Sequence, residues 1–195
     1  MLSHSFFKVD TETFFDYYKN NLIYTEAQPN DAHKALAKLE EMGKLKAVVT
    51  QNIDGLHQKA GSKTVYELHG SVLRNNCMDC GTYYDLDYIR DESHCQGYSP
   101  KCEKCGGIVK PDVVLYEEAL DDFQISGAVD AIRKADVLII GGTSLVVYPA
   151  AGFISYFRGS KMVLINKSET SYDNQADLVI HDSIGKVLQE ATAGL

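Results

Sequence analysis

The sequence predicts an open, parallel α/β sheet that is interrupted by a small metal-binding module. Strand-like apolar runs alternate along the chain with segments of helical periodicity, an order typical of α/β proteins. The run Val-Leu-Ile-Ile within Asp136–Gly142 is almost continuously apolar, as a parallel strand covered on both faces requires. From Asn75 to Ile108 the periodicity is lost, and all five cysteines lie in this segment.

The part of the chain before the cysteines predicts two helices and two strands. Asp10 and Thr11 begin a first helix, and Asn30 caps a second helix whose apolar face ends at Gly43. Residues 45–50 predict a strand that leads into a polar segment. Residues 65–68 predict a second, shorter strand that ends at His69.

The part after the cysteines continues the alternation of strands and helices. It predicts an extended segment at 111–116, helices at 128–134, 149–157 and 183–193, and strands at 136–142 and 161–166. These elements place residues 1–74 and 109–195 in one sheet domain. Residues 75–108 form the inserted module, whose composition predicts that metal rather than a core of its own holds it together.

Charge and hydropathy exclude several classes of function. The formal net charge of −8 disfavours nonspecific binding to nucleic acid or acidic membranes, because both would repel the chain. The longest apolar runs, such as Val137–Ile140, are far too short to span a bilayer. The first residues lack the basic-then-apolar pattern of a signal peptide. We therefore expect a cytoplasmic protein that binds neither nucleic acid nor membrane.

The cysteine spacing predicts a structural zinc site. Cys77 and Cys80 form one Cys-x-x-Cys pair, and Cys102 and Cys105 form a second after 21 intervening residues. Two such pairs supply the four tetrahedral ligands of zinc and leave no open position for catalysis. Redox-active dithiols, as in a dithiol oxidoreductase, and buried spare cysteines are the alternative interpretations. Cys95 has no partner at this spacing and is interpreted as a free thiol.

Polar residues follow three of the predicted strands, where ligands bind in open α/β sheets. They are Gln51, Asn52 and Asp54 after the first strand, Thr143 and Ser144 after Gly141-Gly142, and Asn166 after the strand at 161–166. Glycines after a strand allow close approach to a phosphate or ribose, although they also serve simply to turn the chain.

His69 stands at a predicted strand end, next to Gly70. Because imidazole titrates near neutral pH, it is a candidate general base. A histidine that is hydrogen-bonded within a loop is the alternative.

Taken jointly, these segments resemble the sirtuin family, the NAD-dependent protein-lysine deacylases. The matching segments, in family order along nearly the whole chain, are Thr50–His57, Glu67–Gly70, the four paired cysteines, Lys110–Val114, Gly142–Leu145 and Leu164–Asn166.

The resemblance implies a Rossmann-like NAD-binding domain, incomplete at its N-terminus, joined to a small zinc-ribbon module, with an acetyl-lysine peptide in the cleft between them. It implies an acyl transfer to ADP-ribose that yields free lysine, nicotinamide and O-acetyl-ADP-ribose. His69 would be the general base on the ribose hydroxyl. Val113 and Val114 match the edge that pairs with the substrate backbone and lines the acyl-lysine tunnel. The residues that match cofactor contacts are Gln51, Asn52, Asp54, Gly142, Thr143, Ser144, Asn166, Lys167, Ser168 and Ile184.

Two departures from family patterns shape the expected activity. A desuccinylase class carries Tyr-x-x-Arg, whereas Tyr17 and Tyr18 are followed three residues later by Asn20 and Asn21, so we expect a neutral acyl group. The Gly-Ala-Gly-x-Ser loop and the Pro-Asp-Phe-Arg segment that open the family pattern do not occur, and Met1–Phe7 resembles a stretch just downstream of them. We therefore expect weak NAD binding and slow turnover from these 195 residues. The alternative is a catalytically inactive, zinc-stabilised peptide-binding module or a sirtuin fragment.

Overall fold

Both helices and parallel strands are present in the computed structural model, which describes residues 1–195. The α-helices are α1 (His4–Val9), α2 (Thr11–Asn21), α3 (Asp31–Glu41), α4 (Leu56–Ala60), α5 (Leu86–Arg90), α6 (Asp122–Lys134) and α7 (Ile184–Thr192). Short 3-10 helices lie at Glu92–His94, Ala150–Tyr156 and Asp173–Gln175. The strands are β1 (Val48–Thr50), β2 (Val65–Glu67), β3 (Gly70–Cys77), β4 (Tyr83–Tyr84), β5 (Cys95–Gln96), β6 (Ser99–Pro100), β7 (Val109–Val113), β8 (Val137–Gly141), β9 (Lys161–Ile165) and β10 (Leu178–Ile180).

The helix starts predicted from capping residues are confirmed. The Asp10 carboxylate accepts a hydrogen bond from the Thr13 amide at the start of α2. At the start of α3 the Asn30 side chain accepts from the Ala32 and His33 amides, and the His33 ring in turn meets the Asn30 amide. These bonds satisfy amide groups that have no partner within a helix.

Other element boundaries differ from the sequence prediction. Helix α6 begins six residues before Ala128 because Asp121 caps it through the Gln124 amide. The helix predicted at 149–157 is a 3-10 helix. Helix α1, capped by the Ser3 hydroxyl, and strand β10 were not predicted. Both are short, so neither contains enough residues to show a clear hydrophobic period.

The chain forms two compact units. The first, which we call the cysteine unit, contains residues 1–27, 51–55 and 69–120. The second, which we call the sheet unit, contains residues 28–50, 56–68 and 121–195.

Parallel strands form the sheet unit, as predicted. Strand β1 pairs with β2, and β9 lies between β8 and β10 in a three-stranded sheet. On β9, Leu164 packs with Ile140 on one face, whereas Ile165 packs with α3 and α7 on the other. Successive side chains of a strand point to opposite faces, so both faces of β9 are covered.

The predicted strand at 136–142 is present, but its predicted burial on both faces is only partly found. Of its apolar side chains Ile140 is buried, whereas Val137 remains 50% and Ile139 40% exposed. Strand β8 is one of the two outer strands of its three-stranded sheet, and an outer position leaves side chains with fewer neighbours.

An aromatic core dominates the cysteine unit. Phe7 of α1 meets Phe14 of α2 edge to face, and Phe14 stacks on Tyr18. Ile89 and Val109 are fully buried in the same cluster. Apolar residues of the segment 75–108 therefore share the core that α1 and α2 supply. The composition of this segment predicted stabilisation by metal and did not predict this shared core.

Candidate functional site

The four paired cysteines converge in the cysteine unit. Their sulfur atoms all lie within 4.8 Å of one another, with Cys77 Sγ 3.4 Å from Cys105 Sγ and Cys80 Sγ 3.6 Å from Cys102 Sγ. All are free thiols. Zinc–sulfur bonds of about 2.3 Å in a tetrahedron separate the sulfurs by about 3.8 Å. The donor set and its spacing therefore fit a structural zinc ion, and convergence of all four thiols argues against separate redox dithiols.

Two hydroxyl groups lie beside the cysteine sulfurs. Thr82 Oγ1 is 3.1 Å from Cys80 Sγ, and the Tyr84 hydroxyl is 3.0 Å from Cys102 Sγ. Hydrogen bonds from Thr82 lower the pKa of Cys80 to about 6. Hydrogen bonds to a sulfur stabilise its thiolate form, which is the form that binds a metal.

The His69 ring is oriented by a main-chain carbonyl of the cysteine unit. Its Nδ1 lies 3.0 Å from the carbonyl oxygen of Gln51. A carbonyl oxygen can only accept a hydrogen bond, so the proton of the neutral imidazole is on Nδ1. The lone pair is therefore on Nε2. A half-buried imidazole held in this tautomer is suited to accept a proton at Nε2.

The strand after the cysteines lies beside His69. In the antiparallel pairing of β3 with β7, Val113 is opposite Gly70, and the Val114 amide donates to the His69 carbonyl at 3.0 Å. Val113 is buried and Val114 half-buried. The structure thus brings the predicted base and the predicted substrate-binding residues together.

The polar segment after β1 belongs to the same unit. The Ile53 carbonyl accepts from the Val72 amide at 2.9 Å, which ties residues 51–55 to β3. Gln51 meets His69 through its main chain. Asn52 is exposed and Asp54 half-exposed in this segment, so both side chains are accessible to a ligand.

A polar cleft of about 630 Å³ lies in the sheet unit, at the carboxyl ends of β8 and β9. Its lining residues are Gly142, Thr143, Ser144, Val146, Asn166, Ser168, Glu169, Thr170 and Ser171. Asn166 Nδ2 donates to the Ser168 carbonyl at 2.9 Å, and the Gly142 amide donates to the Ile165 carbonyl at 3.1 Å. Five of the residues predicted to bind NAD therefore share one cleft.

Five predicted cofactor residues do not line this cleft. Gln51, Asn52 and Asp54 belong to the cysteine unit, and the other two are Lys167 and Ile184. Four unpredicted residues do line it. Lys167 is exposed beside it, and Ile184 packs against α3 and close to Gly141. Val146 and the segment Glu169–Ser171 were not predicted. The signal for that segment was the polar run directly after the carboxyl end of β9.

Comparison with known proteins agrees with this geometry. A sequence profile of the Sir2 family matches residues 1–149. The chain belongs to the Sir2 family. It is 70% identical over 189 residues to an NAD-dependent protein deacetylase of Clostridium perfringens and 67% identical over 190 residues to one of Clostridium acetobutylicum. It spans 76% of the length of each, and the two alignments include 96% and 97% of this chain.

A solved structure gives the same assignment for the fold. The complex described as Sir2 with p53 peptide and NAD⁺ superposes with a TM-score of 0.94 at 34% identity, covering 100% of this chain and 82% of that one. The sirtuin resemblance and the α/β fold with a four-cysteine module are thereby confirmed. Among the sirtuin's helices, none combines the length and the apolar character that crossing a membrane requires.

Proposed function

We propose that this sirtuin is an NAD-dependent protein-lysine deacetylase that releases nicotinamide and transfers the acetyl group to ADP-ribose as O-acetyl-ADP-ribose. The observation that carries the proposal is the hydrogen bond of His69 Nδ1 to the Gln51 carbonyl, because it leaves Nε2 as a proton acceptor. The deacetylases of two Clostridium species at 67% and 70% identity support it.

His69 acts as the general base in this proposal. NAD, when bound, supplies the anomeric carbon that receives the acetyl oxygen and the nicotinamide that leaves. His69 Nε2 accepts the proton of the ribose hydroxyl that carries the acetyl group onward. Its Nδ1–H continues to donate a hydrogen bond to the Gln51 carbonyl, so the ring remains oriented while Nε2 gains a proton.

Cofactor binding is divided in this proposal between two sets of residues. Gln51, Asn52 and Asp54 bind the nicotinamide and ribose end. The adenosine end is bound in the polar cleft, whose amides and hydroxyls can donate to ribose and phosphate oxygens. The adenosine end contacts five residues of the cleft, Gly142, Thr143, Ser144, Asn166 and Ser168. It also contacts Lys167 and Ile184, which lie outside the cleft lining.

The substrate is an acetylated lysine in a protein or peptide, held along Val113 and Val114. Helix α2 carries Asn20 and Asn21 three residues after its two tyrosines, and it offers no arginine to pair with an acidic acyl group. A neutral acyl group avoids burying an unpaired charge. Turnover of acetyl and succinyl versions of one peptide tests this, and faster removal of succinyl would contradict it.

Zinc has a structural role in the proposal. The ion is held by Cys77, Cys80, Cys102 and Cys105, the set whose geometry fits a closed tetrahedron. Zinc stoichiometry near one per chain is the expected result.

The test is deacetylation of an acetyl-lysine peptide with NAD, comparing the wild type with His69→Ala. General base catalysis contributes about 10²–10⁴-fold, so the substitution should reduce product formation by at least about a hundredfold. Zinc content and melting temperature serve as controls for folding. Peptide binding without any product, unchanged in His69→Ala, would instead favour the peptide-binding module.

A further inference from the structure

One carboxylate of the cysteine unit gathers hydrogen bonds from three separate segments. Glu118 Oε2 accepts from the Leu115 amide at 2.9 Å and from Lys110 Nζ at 3.2 Å. Its Oε1 accepts from His4 Nδ1 at 2.9 Å. The side chains of Lys110 and Glu118 are only 17% and 21% exposed. This is a largely buried ion pair rather than a solvated surface contact.

The ammonium group of the pair also contacts the main chain of β7. Lys110 Nζ donates to the Val113 carbonyl at 3.0 Å and lies 3.4 Å from the Pro111 carbonyl. Lys110 thus joins the Glu118 carboxylate to the carbonyl of the residue where β7 ends.

The turn after β7 brings Glu118 back to this position. The Glu118 amide donates to the Leu115 carbonyl at 3.0 Å, and Glu117 adopts a positive φ of 77°. The Glu117 carboxylate accepts from the amide and hydroxyl of Ser5. A non-glycine residue at positive φ is held only where its surroundings determine it, so this turn is a defined structure.

The charged form of Glu118 is favoured despite burial. Burial raises the pKa of the Glu118 carboxyl, but the Leu115 amide, His4 and Lys110 together outweigh it and lower that pKa below its ordinary value. Hydrogen bonds in which one partner is charged are stronger than those between neutral groups. Removing one partner would leave the other charge buried and unpaired.

The segment held by this pair is the one that meets the predicted base. The Val114 amide donates to the His69 carbonyl at 3.0 Å, and Val113 is opposite Gly70 in the ladder. Movement of the Val113–Leu115 main chain would therefore alter the peptide-binding edge and its connection to His69 together.

We propose that Lys110 and Glu118 are positioning residues that fix the Val113–Leu115 main chain in the geometry that binds acetyl-lysine peptide. The inference rests on the proposed function and deepens it. Neither residue takes part in the chemistry. The pair acts through the Val113 carbonyl and the Leu115 amide.

The test compares the wild type with Glu118→Gln, Lys110→Met and the double variant. Loss of a charged hydrogen bond at the edge should raise the peptide KM about tenfold. The KM for NAD should stay within about twofold, because the polar cleft is built from other residues. The peptide KM of the double variant should not exceed that of the more affected single variant, because each single substitution already removes the same coupled interaction. Arg90→Met, which removes the exposed pair of Arg90 with Asp87, is the matched control.

A second measurement does not depend on activity. Hydrogen exchange of the Val114 and Leu115 amides should be faster in Glu118→Gln and unchanged in Arg90→Met. Zinc content monitors the folding of each variant.

The outcomes separate this inference from the proposed function. A peptide KM within about twofold of the wild type, or equal rises in both KM values, would overturn the positioning role. If the wild type forms no product, the proposed function fails. The role of the Lys110–Glu118 pair is then tested by amide exchange alone. Unchanged exchange in Glu118→Gln would then overturn the role of the pair, and faster exchange would support it.

Discussion

Gly70 lies so close to the main-chain carbonyl of Asp112 that a Cβ atom at position 70 would overlap the Asp112 oxygen. Gly70 also has a positive φ of 76°, which L-residues rarely adopt. Both features occur where β3 begins, directly after His69 and opposite Val113. Glycine is therefore required here for the approach of β7 as well as for the turn.

Gly70→Ala should destabilise the protein by at least about 3 kcal/mol, since a left-handed alanine costs about 1–2 kcal/mol and the overlap with backbone adds to it. Gly43→Ala is the matched control, because Gly43 has a φ of 71° and open space around it. The control should lose only about 1 kcal/mol. Urea denaturation measures both, and equal losses would show that the contact with Asp112 can relax.

Tyr84→Phe should weaken zinc binding. Its hydroxyl lies 3.0 Å from Cys102 Sγ, and loss of such a partner typically costs about 10–100-fold in metal affinity. Tyr83→Phe is the control, because that hydroxyl contacts only the Leu73 carbonyl at 3.4 Å. Competition with a chromophoric chelator gives the zinc affinity. If both variants retain zinc equally well, the Tyr84 hydroxyl has no part in holding the ion.

Asn166→Ala should raise the KM for NAD about tenfold while leaving the peptide KM unchanged. The Asn166 amide group closes a hydrogen bond to the Ser168 carbonyl within the polar cleft and orders the loop that lines it. Asn20→Ala removes a side chain of the same type, whose bonds go only to Asp16. That control should leave the KM for NAD unchanged, and a rise in peptide KM for Asn166→Ala would contradict a purely nucleotide-binding cleft.

The stabilisation from Glu12 should depend on pH. Its carboxylate accepts from the Ser99 hydroxyl and from the Tyr98 amide, and these bonds lower the pKa of Glu12. A lowered folded-state pKa stabilises the protein above the unfolded pKa of about 4.3 and loses this effect as the pH falls through the folded value.

Melting curves of the wild type and Glu12→Gln measure this dependence. The difference in melting temperature should be greatest above about pH 5 and shrink at lower pH. A difference that stays constant down to pH 3 would mean that ionisation of Glu12 contributes nothing.

Much of the candidate site could be predicted because its signals are local. The two Cys-x-x-Cys pairs required only tight turns to present their sulfurs, and the structure brings all four together. The N-caps Asp10 and Asn30 were predicted because a capping side chain bonds to amides two or three residues away. Within each cap and each Cys-x-x-Cys pair the sequence separation is two or three residues, so neighbouring residues are enough to predict these features. The meeting of the two pairs, which are separated by 21 intervening residues, was predicted from the need of zinc for four ligands.

Contacts between distant segments were not predictable in this way. Nothing in the residues near Glu118 indicates that it bonds with Lys110 and His4, since the three come together only when α1 meets the turn after β7. The exposure of Val137 and Ile139 likewise depends on the position of β8 in its sheet. The apolar residues of β8 do not indicate which strands lie beside it.

The sequence by itself predicted the family, the parallel strands, the convergence of the four paired cysteines and His69 as the candidate base, because motif spacing and hydrophobic period are carried by the covalent chain. Tertiary structure decided the tautomer of His69 and the core that the segment 75–108 shares with α1 and α2. It also decided the contacts of Lys110 with the Val113 carbonyl and of Glu118 with the Leu115 amide. Each of these depends on hydrogen bonds or packing between residues far apart in sequence. Such contacts exist only after the chain has folded.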